Sequence, residues 1–563
     1  MIDAVPPGLV LLLGGAALPL VPVRLRPAWI LGLPLITLWL SWSVPAGAPL
    51  HVQYLGWHLI PLRVDLLSRL FALVFSIMAF GGGLFALKQA SVRELAAAYI
   101  YAGAAIGAVF AGDLMTLFVF WEIMAVASAA VIWSTGSRAA YGAGMRYLGV
   151  HLFGGVLLMV GILAYAKTTG SIAFDSLSAG GAGRWLILAG FLINAGAPPF
   201  SSWLPDAYPE ASATGSVFLS AFTTKTAVYV LLRGFAGEHL LIYFGLFMVY
   251  YGIIYALLEN DMRRILAYSI VNQVGFMVTA VGIGTPLALN GAAAHAFAHI
   301  IYKALLLMSA GAVLQQTGKR KCSDLGGLFR TMPVTMACGV IGALAISAFP
   351  LTSGFVTKSM INQAAADQHM LWPWLLLVAA SAGVFLHAGI KFPWFVFFQK
   401  DSGLRPPEPP ANMRYAMYVF AFLCVAIGVY PAPLYALLPF PVDFVPYTGG
   451  HVVSQLQLLF FAGLAFFAML PLMARTLTVT LDVDWLYRRG GPYLYGMLRQ
   501  RVERTGTVLS AAAQAAAHRT LSWLDRYHGP EGIFGRAWPT GRMVIWVALM
   551  LVAYLLFAYA GRY

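Results

Sequence analysis

Long apolar runs separated by short polar connections dominate the chain up to about residue 475. A membrane-spanning helix needs about 20 apolar residues, and about sixteen stretches meet that requirement. The pattern therefore predicts an all-α polytopic membrane protein with about sixteen transmembrane helices. The first stretch lacks a basic flank and a cleavage site, so we expect it to be a retained helix. The predicted spans begin near Val10, Trp29, Leu66, Leu95, Leu114, Tyr147, Trp185, Ser212, His239, Ile265, Leu287, Pro333, Leu371, Met413, Val453 and Arg542.

Two of the predicted spans are interrupted by proline. Span 7 (residues 185–204) contains Pro198-Pro199, and span 12 (residues 333–361) contains Pro350. A proline removes one backbone hydrogen bond and clashes with the preceding turn of a helix. Breaks at corresponding places in two halves are typical of transporters that are built from repeats and bind their substrates near the midplane. We therefore predict two inverted repeats in which helices 7 and 12 are broken.

The segments outside the apolar runs predict two further elements. Residues 48–65 alternate apolar and polar positions, which indicates a small hairpin on the outer surface. Residues 482–540 are rich in arginine, and helical stretches within 495–526 indicate an amphipathic segment at the cytoplasmic interface. A solvated loop with some helix is the alternative. The predicted domains are 1–110 (N-terminal helices), 111–235 and 236–400 (two half-channel repeats), 401–475 (C-terminal helices), 476–540 (interfacial segment) and 541–563 (final span).

The composition excludes a water-soluble globule. Only 10% of the 563 residues are charged and 60% are hydrophobic, whereas soluble proteins carry about 25% charged residues. The net charge of +14 does not indicate a nucleic-acid partner, because most Lys and Arg fall in alternate connections. This is the positive-inside pattern, and membrane topology with anionic lipid at the cytoplasmic face accounts for it. Cys322, Cys338 and Cys424 lack metal-ligand spacing, so we expect no cofactor and no metal site.

Six ionisable side chains lie inside the predicted spans. A charge at the centre of a bilayer costs at least about 2.5–3.5 kcal/mol, so such residues normally face a protein interior or a water path. All six are types that exchange protons, which indicates a proton route through the membrane. A histidine and a lysine of the next span, His387 and Lys391, could extend this route. The six residues are Glu122, Lys225, His295, His299, Lys303 and Lys358.

The spacing of three of these residues places them on one helix face. His295, His299 and Lys303 follow one another at intervals of four residues, which makes a ladder of about 12 Å along a helix. Histidine exchanges protons near neutral pH, so the ladder suits a relay. A metal-binding histidine pair, or histidines that are only satisfied by hydrogen bonds, are the alternatives. For Glu122 the alternative is an ion pair that fixes helix packing, and for Lys225 it is an amine that reaches the interface.

Several segments together resemble the antiporter-like subunits shared by complex I, membrane-bound hydrogenases and Mrp-type cation/proton antiporters. The resemblance covers about residues 60–435. It implies that Glu122 is the essential glutamate of helix 5, that Lys225 is the lysine of helix 8, and that the ladder is the relay of helix 11. The segments that carry it are Asp113–Glu122, Trp203–Ala211, Thr224–Thr226, Asp261–Ser269, His295–Lys303 and Ser353–Lys358.

One position departs from the family pattern. The lysine of helix 7, which is the usual partner of the helix-5 glutamate, aligns with Asn194, and asparagine cannot titrate. Arg146 falls where several members carry a lysine on helix 6. Either Arg146 or Lys225 is then expected to pair with Glu122, or this half-channel works differently. Gln273 stands where many members have a histidine on helix 10.

The resemblance implies a proton-translocating subunit of a multi-subunit complex in a bacterial inner membrane, most closely one that exchanges Na⁺ or K⁺ for H⁺. Its expected partners are other membrane subunits, protons and one of these cations. One alternative is a proton-pumping subunit of a complex I-like oxidoreductase or a membrane hydrogenase, in which partner subunits would hold the redox cofactors. The others are a subunit of an inorganic-carbon uptake complex and a structural paralogue with a partly disabled channel.

Overall fold

A computed structural model describes residues 5–47, 49–54, 56–179, 181–473 and 482–561, except for the side chains of residues 486 and 487. The chain divides into two units, Met1–Asp484 and Trp485–Tyr563. The predicted boundaries within the first unit stay a prediction, and the predicted border at residues 475 and 476 lies outside the described residues. The described residues form an all-α architecture apart from one hairpin, as the hydrophobic pattern predicts.

The hairpin consists of β1 (Leu50–Tyr54) and β2 (Trp57–Leu62), which pair in antiparallel register with Tyr54 opposite Trp57. The helices are α1 (Pro7–Ala17), α2 (Arg26–Ser43), α3 (Leu66–Ala86), α4 (Val92–Phe110), α5 (Leu114–Trp133), α6 (Arg138–Thr169), α7 (Gly181–Ala195), α8 (Trp203–Ala207), α9 (Gly215–Leu219), α10 (Thr223–Gly234), α11 (Leu240–Leu258), α12 (Met262–Ile283), α13 (Pro286–Thr317), α14 (Pro333–Ile346), α15 (Ser353–Asp367), α16 (Leu371–Val384), α17 (Ala411–Val429), α18 (Ala432–Tyr435), α19 (Gly449–Ala468), α20 (Asp484–His528) and α21 (Thr540–Ala560).

Twelve helical segments in the described part of the chain are long and apolar enough to cross a membrane. Two of them are composite: Gly215–Gly234 combines α9 with α10, and Leu371–Phe398 combines α16 with the π-helical turns that follow it. Each coincides with one of the sixteen predicted spans. The other four predicted spans correspond to α1, α2, α7 and α14, which are shorter or less apolar. The count of sixteen is therefore not confirmed. The reason is physical, because α1, α7 and α14 have only 11 to 15 residues. A helix rises about 1.5 Å per residue, so these three are shorter than the hydrocarbon layer.

Both predicted helix breaks are present. Helix α7 ends at Ala195 and the chain becomes helical again only at Trp203, while α14 ends at Ile346 and α15 begins at Ser353. The prolines inside each break lack the N–H group that would continue the helix. The breaks leave carbonyl groups that polar side chains then satisfy. The indole of Trp203 donates to the carbonyl of Ile193 at 2.9 Å, and the carbonyl of Ile346 accepts from a lysine described below.

Two helix pairs, α5 with α6 and α12 with α13, are built on the same plan. Each position of the first pair precedes its counterpart in the second pair by the same number of residues. The plan begins with an aspartate that caps the first helix, Asp113 for α5 and Asp261 for α12. A capped helix of 32 residues follows in each pair, α6 and α13. Each long helix ends at a glycine with positive φ, and an isolated bridge then returns the chain to the first aspartate. In the predicted order of spans α5 is the fifth and α12 the tenth, which would make the pairs run in opposite directions, and the inversion of the repeats stays a prediction.

Helices α11 and α12 approach each other closely at glycines. A β-carbon at Gly275 would lie 2.6 Å from the carbonyl oxygen of Gly245 and 2.7 Å from the amide nitrogen of Val249. Both are backbone atoms and cannot swing aside. This contact allows α12, which is buried along its whole length, to bring its polar side chains into the centre of the first unit.

The second unit contains α21 and all but the first residue of α20. Helix α20 has 45 residues, with Pro492 near its start, so the predicted helical stretches within 495–526 form one continuous helix. Its location at a membrane interface stays a prediction.

We expect Gly275→Ala to lower the midpoint of thermal unfolding, because the added methyl group forces apart two helices in backbone contact. Overpacking of this kind costs about 1–3 kcal/mol. The matched control is Gly149→Ala on α6, where a β-carbon meets no atom within 4 Å. It should leave the midpoint unchanged or slightly raised. Equal midpoints for the two variants, measured on the protein purified in detergent, would contradict the packing argument.

Candidate functional site

Five of the six predicted site residues lie on three helices that pack together around α12. Lys225 is on α10, His295, His299 and Lys303 are on α13, and Lys358 is on α15. Each of the five side chains is at most 1% exposed. The sixth residue, Glu122, is half-buried on α5, within the first of the two repeated helix pairs.

Lys225 lies in the first turn of α10, where the preceding chain is not regularly helical. Its Nζ donates to the carbonyl of Ser220 at 2.6 Å and to Oγ1 of Thr224 at 3.1 Å. Because the side chain is 0% exposed, the amine stays in the interior rather than reaching the interface. No carboxylate among the described residues contacts it.

The ladder residues occupy the middle of α13. Lys303 donates to Oγ of Ser269 at 2.8 Å and more weakly to the carbonyl of Leu266 at 3.4 Å, both on α12. Both ring nitrogens of His299 are buried without a hydrogen-bond partner in the described part of the chain. Within that part, no group of three or more His, Cys, Asp or Glu could hold a metal ion. The ladder thus offers two ring nitrogens without a hydrogen-bond partner in the described part of the chain, next to an amine that bonds to a hydroxyl and a carbonyl.

His295 is held between α12 and α15. Its Nε2 lies 3.0 Å from Oε1 of Gln273, and its Nδ1 lies 3.1 Å from Oγ1 of Thr357. The Thr357 hydroxyl can also donate to the carbonyl of Ser353 at 3.0 Å. When His295 is protonated, both ring nitrogens can donate, to Gln273 and to the threonine oxygen. When it is neutral, the hydroxyl can turn and donate to Nδ1. The contacts therefore accommodate both protonation states of His295.

Lys358 lies in the second turn of α15, and its side chain reaches back to the break between α14 and α15. Its Nζ donates to the carbonyl of Ile346 at 3.0 Å and lies 4.8 Å from the centre of the Phe276 ring. The next residue, Ser359, lines a cavity of about 1230 Å³ between α15, α16 and α19. Polar side chains of α15 and α19 line much of this cavity. They include Asn362, Gln363, Asp367, Gln368, His451, Ser454 and Gln455.

The two residues that were expected to extend the route lie on a π-helical stretch, Phe385–Lys391. Lys391 donates to the carbonyls of Ala256, Leu257 and Glu259 at 2.6–2.7 Å. These carbonyls end α11, and a cation at that position satisfies them and complements the helix dipole. His387 bonds the carbonyl of Gly383 through Nδ1, and its Nε2 is buried without a partner among the described residues.

The expectation that Arg146 or Lys225 pairs with Glu122 is wrong. Arg146 forms a bidentate ion pair with Asp206 on α8, at 2.7 and 2.9 Å, and Lys225 bonds to Ser220 and Thr224. The carboxylate of Asp206 takes both guanidinium donors, so Arg146 has a buried partner of its own. Oε1 of Glu122 is buried without a hydrogen-bond partner in the described residues.

Asn194, which stands in place of the family lysine, is 0% exposed, and both atoms of its amide lack partners among the described residues. A buried amide without partners costs about 1–3 kcal/mol per group. The first repeat therefore holds a carboxyl and an amide where the resemblance leads one to expect an ion pair. The remaining possibility, a half-channel that works differently, agrees with this arrangement.

Three polar partners of the site were not found from the sequence. Asp206 and Thr357 lie within segments that carry the resemblance, but their contacts depend on α6 and α13, which are distant in the chain. The third is His151 on α6, which is 1% exposed. It precedes His299 by the same spacing that separates Asp113 from Asp261, so the repeat could have identified it.

Comparison with known sequences identifies proteins that are similar to this chain. Residues 111–384 match the family described as NADH:quinone oxidoreductase/Mrp antiporter, transmembrane. A protein of Rhizobium meliloti described as a probable K⁺/H⁺ antiporter component is 30% identical over 434 residues, which cover 71% of this chain and 43% of the relative. This chain thus spans less than half the length of that protein.

A second relative is covered more fully. One Na⁺/H⁺ antiporter subunit of Alkalihalophilus pseudofirmus is 30% identical over 367 residues, which cover 60% of this chain and 74% of the relative. Among solved structures, a chain of the archaeal membrane-bound sulfane sulfur reductase has the same fold, with a TM-score of 0.68 and 24% identity over 80% of this chain and 97% of that chain. The relatives found by sequence and by structure are parts of multi-subunit membrane complexes. The chain belongs to the family of antiporter-like membrane subunits that Mrp antiporters share with NADH:quinone oxidoreductases.

Proposed function

We propose that this chain moves protons through a multi-subunit complex in a bacterial inner membrane, and that the complex exchanges Na⁺ or K⁺ for H⁺. The observation that carries the proposal is the set of three buried lysines and two buried histidines described above. None of the lysines contacts a carboxylate among the described residues. A fixed ion pair would hold its charge in place, whereas an amine bonded to hydroxyl and carbonyl groups can accept and release a proton.

The proposed route crosses from α10 to α13 and then to α15. A proton on Lys225 would pass to Lys303 and His299, then to His295, and through the Thr357 hydroxyl towards Lys358. From Lys358 it would leave by way of the polar cavity that begins at Ser359. Charging one site makes a second charge nearby less favourable, which would couple the steps electrostatically. Moving one elementary charge across 100 mV takes about 2.3 kcal/mol, within reach of a few such sites.

The antiporter assignment is supported by the relatives, which are described as K⁺/H⁺ and Na⁺/H⁺ antiporter subunits. A proton-pumping subunit of a redox complex is the second candidate, because the family also takes its name from NADH:quinone oxidoreductase. In either complex, the arginines of α20 would suit an interface with anionic lipid on the cytoplasmic side.

Gentle purification of the tagged chain from its native membrane, followed by mass spectrometry, separates these candidates. We expect only small hydrophobic membrane subunits to accompany it. Iron–sulfur, flavin or nickel subunits in stoichiometric amounts would contradict the antiporter and make the chain the pump module of a redox enzyme.

Glu122→Ala and Lys303→Ala should each abolish cation-driven proton flux while the complex still assembles, because each removes a proton-exchanging group from the interior. The flux can be followed by a pH-sensitive dye in native membrane vesicles after addition of NaCl or KCl. Lys319→Ala is the matched control, since Lys319 is exposed in the connection after α13. Full activity in Lys303→Ala would exclude the proposed relay, and full activity in Glu122→Ala would exclude a part for the first repeat in the flux.

Thr357→Val should slow the same flux by about 2- to 10-fold, which corresponds to the loss of one hydrogen bond worth about 0.5–1.5 kcal/mol. Valine keeps the shape of threonine but cannot bond to Nδ1 of His295. Thr357→Ser keeps the hydroxyl and should retain activity near the wild-type level. If the valine and serine variants are equally active, the hydroxyl has no part in the transfer.

A further inference from the structure

We propose that His151 is the proton-exchanging partner of Glu122 in the first repeat, and that a row of hydroxyl groups links it to the start of α10. The inference rests on the proposed function and adds a site residue to it. It gives the first repeat a histidine–carboxyl pair in place of the lysine–carboxyl pair that the resemblance implies.

The carboxylate of Glu122, which is on α5, packs against α6. It lies against Gly155, in the space that a β-carbon at this residue would occupy. Residues four apart on a helix are neighbours on one face, so the carboxylate meets α6 one turn from His151. The amide oxygen of Asn194 lies 3.6 Å from the β-carbon position of Gly154 on the same helix. A carboxylate, a histidine and an amide therefore gather around one turn of α6.

The contact of His151 with the α6 backbone fixes the tautomer of its neutral ring. Its Nδ1 lies 2.9 Å from the carbonyl oxygen of Tyr147. A carbonyl accepts hydrogen bonds only, so Nδ1 carries the hydrogen, and in the neutral ring Nε2 has a free lone pair. This Nε2 is buried and has no partner within the described residues. A proton arriving at Nε2 would form a cation one helical turn from the carboxylate, which is the arrangement that stabilises it.

The other ionisable groups near His151 do not compete for this role. Arg146 and Asp206 bind each other. On α7 the neighbouring polar residue is Asn194, which does not titrate. Tyr147 stacks on the histidine ring with centroids 3.9 Å apart, and Tyr208 lies beyond Tyr147 with ring centroids 6.5 Å apart. Glu122 on α5 is the acidic group that remains.

The internal repeat places His151 of α6 at the position that His299 occupies in α13. At the spacing that separates Asp113 from Asp261, the residues Tyr147, His151 and Gly155 of α6 correspond to His295, His299 and Lys303 of α13. The histidine is retained in the middle position of both helices. At the third position α13 has an amine, whereas α6 has a glycine that makes room for a carboxylate from α5. The same scaffold thus carries a histidine next to a charge of opposite sign in the two repeats.

A row of hydroxyl groups leads from Tyr147, whose ring stacks on His151, to α10. The hydroxyl of Tyr147 lies 2.9 Å from Oγ of Ser128 and 3.3 Å from Oγ1 of Thr223, which in turn lies 2.6 Å from the hydroxyl of Tyr101. Thr223 is the first residue of α10 and stands two residues before Lys225. Hydroxyl groups thus line part of the distance between the Tyr147 side chain and the first lysine of the proposed route.

The test is His151→Asn in the assembled complex, measured by cation-driven proton flux in native membrane vesicles. The asparagine amide can keep the bond to the Tyr147 carbonyl but has no group at the Nε2 position. We expect the flux to fall at least about tenfold. This minimum is smaller than the loss of about 10²- to 10⁴-fold that usually follows removal of an acid–base group. The matched control is His239→Asn, an exposed histidine at the start of α11, which should leave the flux unchanged.

Rescue by a lysine separates proton exchange from a structural role. In the double variant His151→Asn/Asn194→Lys, the new amine can reach the same face of α6 and pair with Glu122. We expect the flux to recover to within about threefold of wild type, which a loss of packing at residue 151 would not allow. If the asparagine variant does not assemble, the same flux measurement is made with His151→Gln.

Wild-type flux in the His151 variant, or a loss that the lysine does not correct, would overturn the inference. Failure of the proposed function itself is distinguishable, because Lys303→Ala would then be fully active as well. A His151 variant with normal flux beside an inactive Lys303→Ala would reject only the role of His151.

Discussion

The need to satisfy polar groups inside a membrane protein governs this structure. Within the hydrocarbon layer, backbone donors and acceptors have no water to bond, so irregular backbone is stable only where protein groups complete it. The breaks between α7 and α8 and between α14 and α15 expose carbonyls, and interior side chains bond to them. Lys358 bonds the carbonyl of Ile346, Trp203 bonds that of Ile193, and Lys391 bonds three carbonyls at the end of α11. A buried cation and a broken helix therefore stabilise each other.

The same constraint also shapes the contacts of the residues on the proposed route. Lys225 and Lys303 bond to hydroxyl and carbonyl groups rather than to carboxylates. Such partners satisfy the amine without fixing its charge. His295 is held in a similar way, because the hydroxyl of Thr357 can turn between two acceptors as the ring gains or loses a proton.

The two repeats share a scaffold but differ in their charges. Both have an aspartate cap, a helix of 32 residues and a glycine terminus. In the second repeat, the long helix presents Lys303. In the first, Gly155 at the corresponding position admits the carboxylate of Glu122, and Asn194 supplies no charge. One glycine in place of one lysine therefore exchanges an amine for a carboxylate at this position of the scaffold.

The sequence by itself determined the membrane class, the two helix breaks, the hairpin and the identity of the buried titratable residues. These features follow from hydropathy and from the missing N–H of proline, which act within about one helix length. It did not settle the number of spans, because short helices such as α7 and α14 fall below the length of a full crossing. Only the tertiary structure decided the partners: Arg146 binds Asp206, and Glu122 lies against Gly155 near His151. Such pairings depend on which helices pack together, and residues far apart in the chain acquire that proximity only when the fold is complete.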